Sequence, residues 1–188
     1  MLAGLGFGVF LDLKFHDIPN TVASSVAAAA ELPKVRLLTL HTLGGVSMMK
    51  AARAALGKGT NRPALLGVTL LTSMDETALR GVGIAGSASA TVLALASQAQ
   101  EAGLDGVVAS GQEARAIRAQ CGPKFLIVVP GVRPPSAPGN DQSRVTTPSE
   151  AIEASADYLV IGRPITEAED PRAAALAIVK EIASSRRV

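Results

Sequence analysis

Short apolar runs recur along the chain, and each is followed by a stretch with helical spacing. Val9-Phe-Leu11, Val35-Arg-Leu-Leu-Thr-Leu-His41, Ala64-Leu-Leu-Gly-Val-Thr-Leu-Leu71, Gly106-Val-Val-Ala109, Phe125-Leu-Ile-Val-Val129 and Tyr158-Leu-Val-Ile161 read as buried strands. Helices are predicted over 21–32, 46–56 and 89–102, with a short turn of helix at 75–79. Gly103 closes the third of these helices. Ser110-Gly-Gln-Glu113 and Thr147-Pro-Ser-Glu150 are capping boxes that open two more, and Asp170-Pro171 opens the last. Polar loops are expected at 57–63 and 132–146. Continuous apolar strands alternating with helices are the pattern of a parallel sheet covered by helices, an α/β protein.

Polar residues recur at one place in each unit, the carboxyl end of the strand: Asp12 and Lys14, His41, Ser73, Ser110, Pro130 and Arg163. A (β/α)8 TIM barrel carries its active site on that rim, with a phosphate site commonly after the last strands. Gly162-Arg163 stands there, where glycine admits backbone N–H groups to a phosphate and arginine binds it bidentately. An open doubly wound sheet is the alternative, but no G-x-G-x-x-G or Walker sequence is present.

The densest chemistry lies in Phe10-Leu-Asp12-Leu-Lys14-Phe-His16-Asp17-Ile18-Pro-Asn-Thr21. This is a strand running into a loop, stopped by Pro19 and Asn20 at the start of a helix. Alternation puts Asp12 and Lys14 on one face, about 6.6 Å apart along the strand, and Leu11 with Leu13 on the other. One reading is a structural ion pair. The other is a reacting pair, and Asp17 just past the strand favours it.

The stretch from Asp12 to Thr21 resembles the signature of the orotidine 5′-phosphate decarboxylase family in its bacterial form. Asp-x-Lys-x-x-Asp is shared with barrel relatives, and Ile18-Pro-Asn-Thr21 points to the decarboxylase. Pro130-Gly-Val-Arg133 and Gly139-Asn-Asp-Gln142-x-Arg144 are similar to two further segments of that family. The resemblance implies decarboxylation of orotidine 5′-phosphate to uridine 5′-phosphate in pyrimidine biosynthesis, without cofactor or metal. It implies that Lys14 stabilises and protonates the ring carbanion and that Asp12 opposes the substrate carboxylate. It also implies that Ser73 touches the pyrimidine, and that Arg133, Gln142, Gly162 and Arg163 hold the phosphate. Asp17, Ile18 and Thr21 would reach into a neighbouring subunit's site, making a homodimer. Pro135 stands where some relatives carry a phosphate-contacting Gln.

The same resemblance aligns 1–8 with the end of the family's second helix. The expectation is one domain over 1–188 with about six of eight βα units, lacking its N-terminal part. Residues 1–188 alone are then expected to be poorly soluble or molten, with any soluble fraction lacking decarboxylase activity. Two rival readings are a Mg²⁺-dependent sugar-phosphate decarboxylase or aldolase of the same superfamily, and a non-catalytic phosphate-binding remnant.

Composition narrows the picture further. With 188 residues, 48% hydrophobic and 18% charged, the chain can bury a substantial core. A net charge of +2 and 3% aromatic residues give no footprint for nucleic acid. The lone Cys121 precludes an internal disulfide and fits a reducing cytoplasm. Residues 1–11 have no basic n-region and are too short to span a bilayer. His16 and His41 are expected beside the chemistry rather than in it, and Met48-Met49 in the core.

Overall fold

The structure, a computed structural model, describes residues 2–57, 59, 61–134 and 145–185. Its strands are β1 (Val9–Phe15), β2 (Val35–His41), β3 (Ala64–Val68), β4 (Gly106–Val108), β5 (Leu126–Val129) and β6 (Tyr158–Leu159). Strand order in the sheet follows chain order. The helices are α1 (Pro19–Ala30), α2 (Gly45–Ala55), α3 (Glu76–Gly81), α4 (Ala88–Glu101), α5 (Gly111–Cys121), α6 (Pro148–Glu153), α7 (Arg163–Thr166) and α8 (Pro171–Ser185). Each strand meets the next through at least one helix, as parallel pairing requires.

Residues cluster into two compact units. The first comprises 1–69 and 94–107, the second 70–93 and 108–188. In the first, β1 pairs with β2 and β2 with β3, both parallel. Its core is Leu38, Leu40, Leu65 and Leu66 from the sheet, against Val22 and Val26 of α1 and Met48 and Met49 of α2. Gly67 stays small because a Cβ there would stand 2.6 Å from Thr42 Cγ2. In the second unit β5 pairs in parallel with β6. Ile127 and Val128 of β5 and Ile117 of α5 are buried there.

At the amino ends of the strands each unit carries the same clamp. Asp105, just before β4, receives the Leu65 amide on Oδ2 (2.8 Å) and returns its own amide to the Leu65 carbonyl (3.0 Å). Arg62 grips the same carboxylate bidentately, at 2.6 and 2.7 Å. In the second unit Asp157, just before β6, receives the Ile127 amide (2.7 Å) and returns its own to the Ile127 carbonyl (2.9 Å). Arg118 donates to Asp157 at 2.6 Å and to the Phe125 carbonyl at 2.7 Å.

Sequence patterning and structure agree on the six strands and differ in three details. β1 continues through Phe15, and Leu13 is 49% exposed instead of sharing a buried face with Leu11. The cause is a register shift, described below. β3 stops at Val68 and β6 has two residues, so the last apolar residues of each run lie past the ladder. The Thr147 capping box forms with Pro148 at the first turn, and Asp170 receives the Ala173 amide at 2.9 Å. The Ser110 hydroxyl receives the Gln112 amide at 3.3 Å.

Candidate active site

The charged stretch sits where β1 breaks register with β2. Leu11 pairs with Leu38 and Phe15 with Leu40, so Asp12, Leu13 and Lys14 stand opposite Thr39 alone. Such bulges bend a strand and re-aim its side chains, and they are common beside active sites. Lys14 takes the strain, at φ 51°, in the left-handed region. For a residue with a Cβ this costs about 1–2 kcal/mol.

Three contacts hold the bulge. The Lys14 ammonium donates to Asp12 Oδ2. The Thr39 hydroxyl donates to Asp12 Oδ1 at 2.9 Å, and the Lys14 amide donates to Thr39 Oγ1 at 2.9 Å. Thr39 is fully buried, whereas the Lys14 and Asp12 side chains are 40% and 43% exposed. The result is an ammonium and a carboxylate fixed together and open to a ligand. That arrangement can hold an anionic reactant and move a proton to it.

His41, the last residue of β2, lies beside this pair. Its ring centroid is 5.5 Å from that of His16. Burial pulls its pKa below the ordinary imidazole value, and the charges of His16 and Lys14 add to this against Asp12. The ring packs at the edge of the charged cluster, where burial disfavours its charged form. Past β1, Asp17 Oδ1 receives the Ile18 amide at 2.6 Å, which fixes the entry to α1. Asp17, Ile18 and Thr21 are all exposed there, Ile18 by 67%.

In the second unit the expected ligand residues each follow the carboxyl end of a strand. Ser73 is exposed in the turn after β3. It does not cap α3; Asp75 does, receiving the Ala78 amide at 2.8 Å. Arg133 follows β5 and is buried, its amide donating to the Thr146 carbonyl at 2.9 Å. That bond and the Val132–Thr146 bridge tie together the two ends of the long polar loop. Gly162, with φ −102° and ψ −102°, turns the chain after β6 so that Arg163 opens α7. Gln142 lies outside the described residues.

Thr39 was not among the residues the sequence pointed to. Its signal is a hydroxyl within the buried Leu37–Leu40 run of β2, but only the register with β1 gives it a role. Cys121 is buried, and burial raises its thiol pKa, so it is a packing residue. Among the described residues no three His, Cys, Asp or Glu side chains gather as a metal site would require. No helix among them is long and apolar enough to cross a membrane.

Comparison with known proteins bears on this geometry. The family described as "Orotidine 5′-phosphate decarboxylase / HUMPS family" matches residues 1–178. The orotidine 5′-phosphate decarboxylase of Nitrosococcus oceani is 56% identical over 183 residues, which span 97% of this chain and 78% of that protein. That of Sodalis glossinidius is 54% identical over 178 residues, 94% of this chain and 70% of that protein. The crystal structure of the Lactobacillus acidophilus enzyme superposes with a TM-score of 0.82 at 40% identity, covering 96% of this chain and 78% of that one. The α/β fold is accordingly of the (β/α)8 barrel type, with six strands among the described residues.

Proposed function

The chain belongs to the orotidine 5′-phosphate decarboxylase / HUMPS family, and from that premise we propose that it decarboxylates orotidine 5′-phosphate to uridine 5′-phosphate with Asp12 and Lys14 as the reacting pair. The observation that carries this is an ammonium held by a carboxylate on a strained bulge, both open to a ligand. The bond from the ring carbon to the substrate carboxylate breaks, CO₂ leaves, and the electron pair stays on the carbon. The Lys14 ammonium stabilises that charge and then gives the carbon a proton, which solvent replaces. Asp12 holds the Lys14 ammonium in place and stands against the substrate carboxylate, an unfavourable contact that CO₂ departure removes. Arg163 and Arg133 with Gly162 and Gln142 bind the phosphate, and Ser73 the pyrimidine. Binding energy from the phosphate then holds the reacting carbon at Lys14.

We assign Asp17, Ile18 and Thr21 to the site of a second copy in a two-fold dimer. Their exposure at the start of α1 supports this. The Mg²⁺-dependent sugar-phosphate decarboxylase or aldolase reading is not favoured, since the relatives described above are orotidine 5′-phosphate decarboxylases by name. The test follows the loss of orotidine 5′-phosphate absorbance with the full-length protein and with its Lys14→Ala variant. Turnover lost in the variant supports the assignment, and near-normal turnover overturns it. Mixing inactive Lys14→Ala and Asp17→Ala proteins tests the shared site. Statistical exchange of subunits should restore about a quarter of wild-type activity, and no recovery would rule out sharing.

A further inference from the structure

We propose that Thr39 is a positioning residue for the reaction, setting both the backbone of Lys14 and the carboxylate of Asp12 with one hydroxyl. The claim rests on the reading of Asp12 and Lys14 as the reacting pair. Its physical basis is the two-sided use of Oγ1, which receives the Lys14 amide at 2.9 Å and donates to Asp12 Oδ1 at 2.9 Å. Asp12 Oδ2 in turn receives the Lys14 ammonium, so a closed ring of hydrogen bonds runs from the Lys14 backbone through Thr39 and Asp12 to the Lys14 side chain.

The ring explains how a lysine at φ 51° persists. Strained residues endure only where their surroundings over-determine them. Thr39 is fully buried on β2 and faces the bulge as its sole partner in register. A buried β-branched side chain has little rotamer freedom, so its hydroxyl is a fixed point. Without it the Lys14 amide loses its acceptor and Asp12 loses the donor that orients Oδ1. The ammonium would then wander by the order of an ångström, enough to slow a reaction about 10²-fold.

Two substitutions separate this role from simple packing. Thr39→Val keeps shape and removes both hydrogen bonds, whereas Thr39→Ser keeps the hydroxyl and removes a methyl. Positioning predicts that Val lowers kcat by roughly 10²-fold with KM changed less than about threefold, while Ser stays within about fivefold of wild type. Packing alone predicts the reverse order, and that result would overturn the proposal. Amide hydrogen exchange at Lys14 gives a readout that needs no turnover. It should be slow in wild type and at least about tenfold faster in Thr39→Val. Equal exchange in the two proteins also overturns the proposal. Lys14→Ala run in parallel keeps the two failures apart. An active Lys14→Ala sinks the reacting pair. An inactive Lys14→Ala beside an unchanged Thr39→Val sinks the role of Thr39 alone.

Discussion

Asp12–Lys14 and Arg62–Asp105 are two carboxylate–cation pairs of one compact unit, at opposite ends of its parallel strands, and they are built differently. Arg62 and Asp105 are 18% and 25% exposed. Their contact is bidentate, and the carboxylate also takes a backbone amide. Burial alone would raise the Asp105 pKa, but the hydrogen bonds from Arg62 and Leu65 outweigh it and hold the carboxyl below its ordinary value. Arg62 is raised in turn, chiefly by its hydrogen bond to Asp105. A pair this well satisfied holds two strand ends together. Asp12–Lys14 is roughly twice as exposed, joined by one hydrogen bond between the charges, and set on a left-handed backbone. An exposed pair contributes only about 0–1 kcal/mol, less than the backbone strain it requires. The amino ends of the strands use charge for stability, and the second unit repeats the device with Arg118 and Asp157. The carboxyl end of β1 spends stability to present charge.

Substitutions at the two ends should therefore separate activity from stability. The largest effect is expected for Lys14→Ala, with kcat lower by at least about 10⁴-fold and a melting temperature within about 3 °C of wild type. A large loss of melting temperature would make the pair structural after all. Arg163→Ala should lower kcat/KM by roughly 10²-fold, mostly through KM, as steady-state kinetics would register. An unchanged KM would remove Arg163 from the phosphate site.

Asp105→Ala should destabilise by about 2–4 kcal/mol, a drop of roughly 5–15 °C in the melting temperature. Its kcat at low temperature should stay near wild type. Loss of kcat in fully folded protein would blur the division between the two ends. The smallest effect concerns pH. His41 is depressed in the folded state, so below about 6.5 the unfolded chain binds the extra proton first and stability falls with pH. Denaturant titrations at pH 7.5 and 5.5 should show this fall, and His41→Asn should reduce it. The contribution of Asp105 lies lower, present above its unfolded value near 3.9 and lost as pH drops further.

The strands were legible because a parallel sheet buried on both faces leaves continuous apolar runs, and helices between them leave caps such as Thr147 and Asp170. The charged stretch was legible because Asp12, Lys14 and Asp17 are adjacent in sequence. Leu13 was misread because the two-residue period assumes an unbroken ladder, and a bulge removes that assumption. Thr39 and the clamps were not legible for a different reason. Their partners lie far along the chain, 27 residues for Thr39 with Asp12 and 43 for Arg62 with Asp105, and only register brings them together. A hint was present for the clamps, since Asp105 and Asp157 each stand immediately before an apolar strand.

The measurement that tests the division most directly is Lys14→Gly, assayed for orotidine 5′-phosphate consumption and thermal unfolding on the same sample. Glycine adopts the left-handed conformation without a Cβ penalty. Turnover should disappear while the melting temperature stays level or rises by a few degrees, as relief of about 1 kcal/mol of strain allows. Retained turnover, or a fall in melting temperature as large as that of Asp105→Ala, would contradict the account.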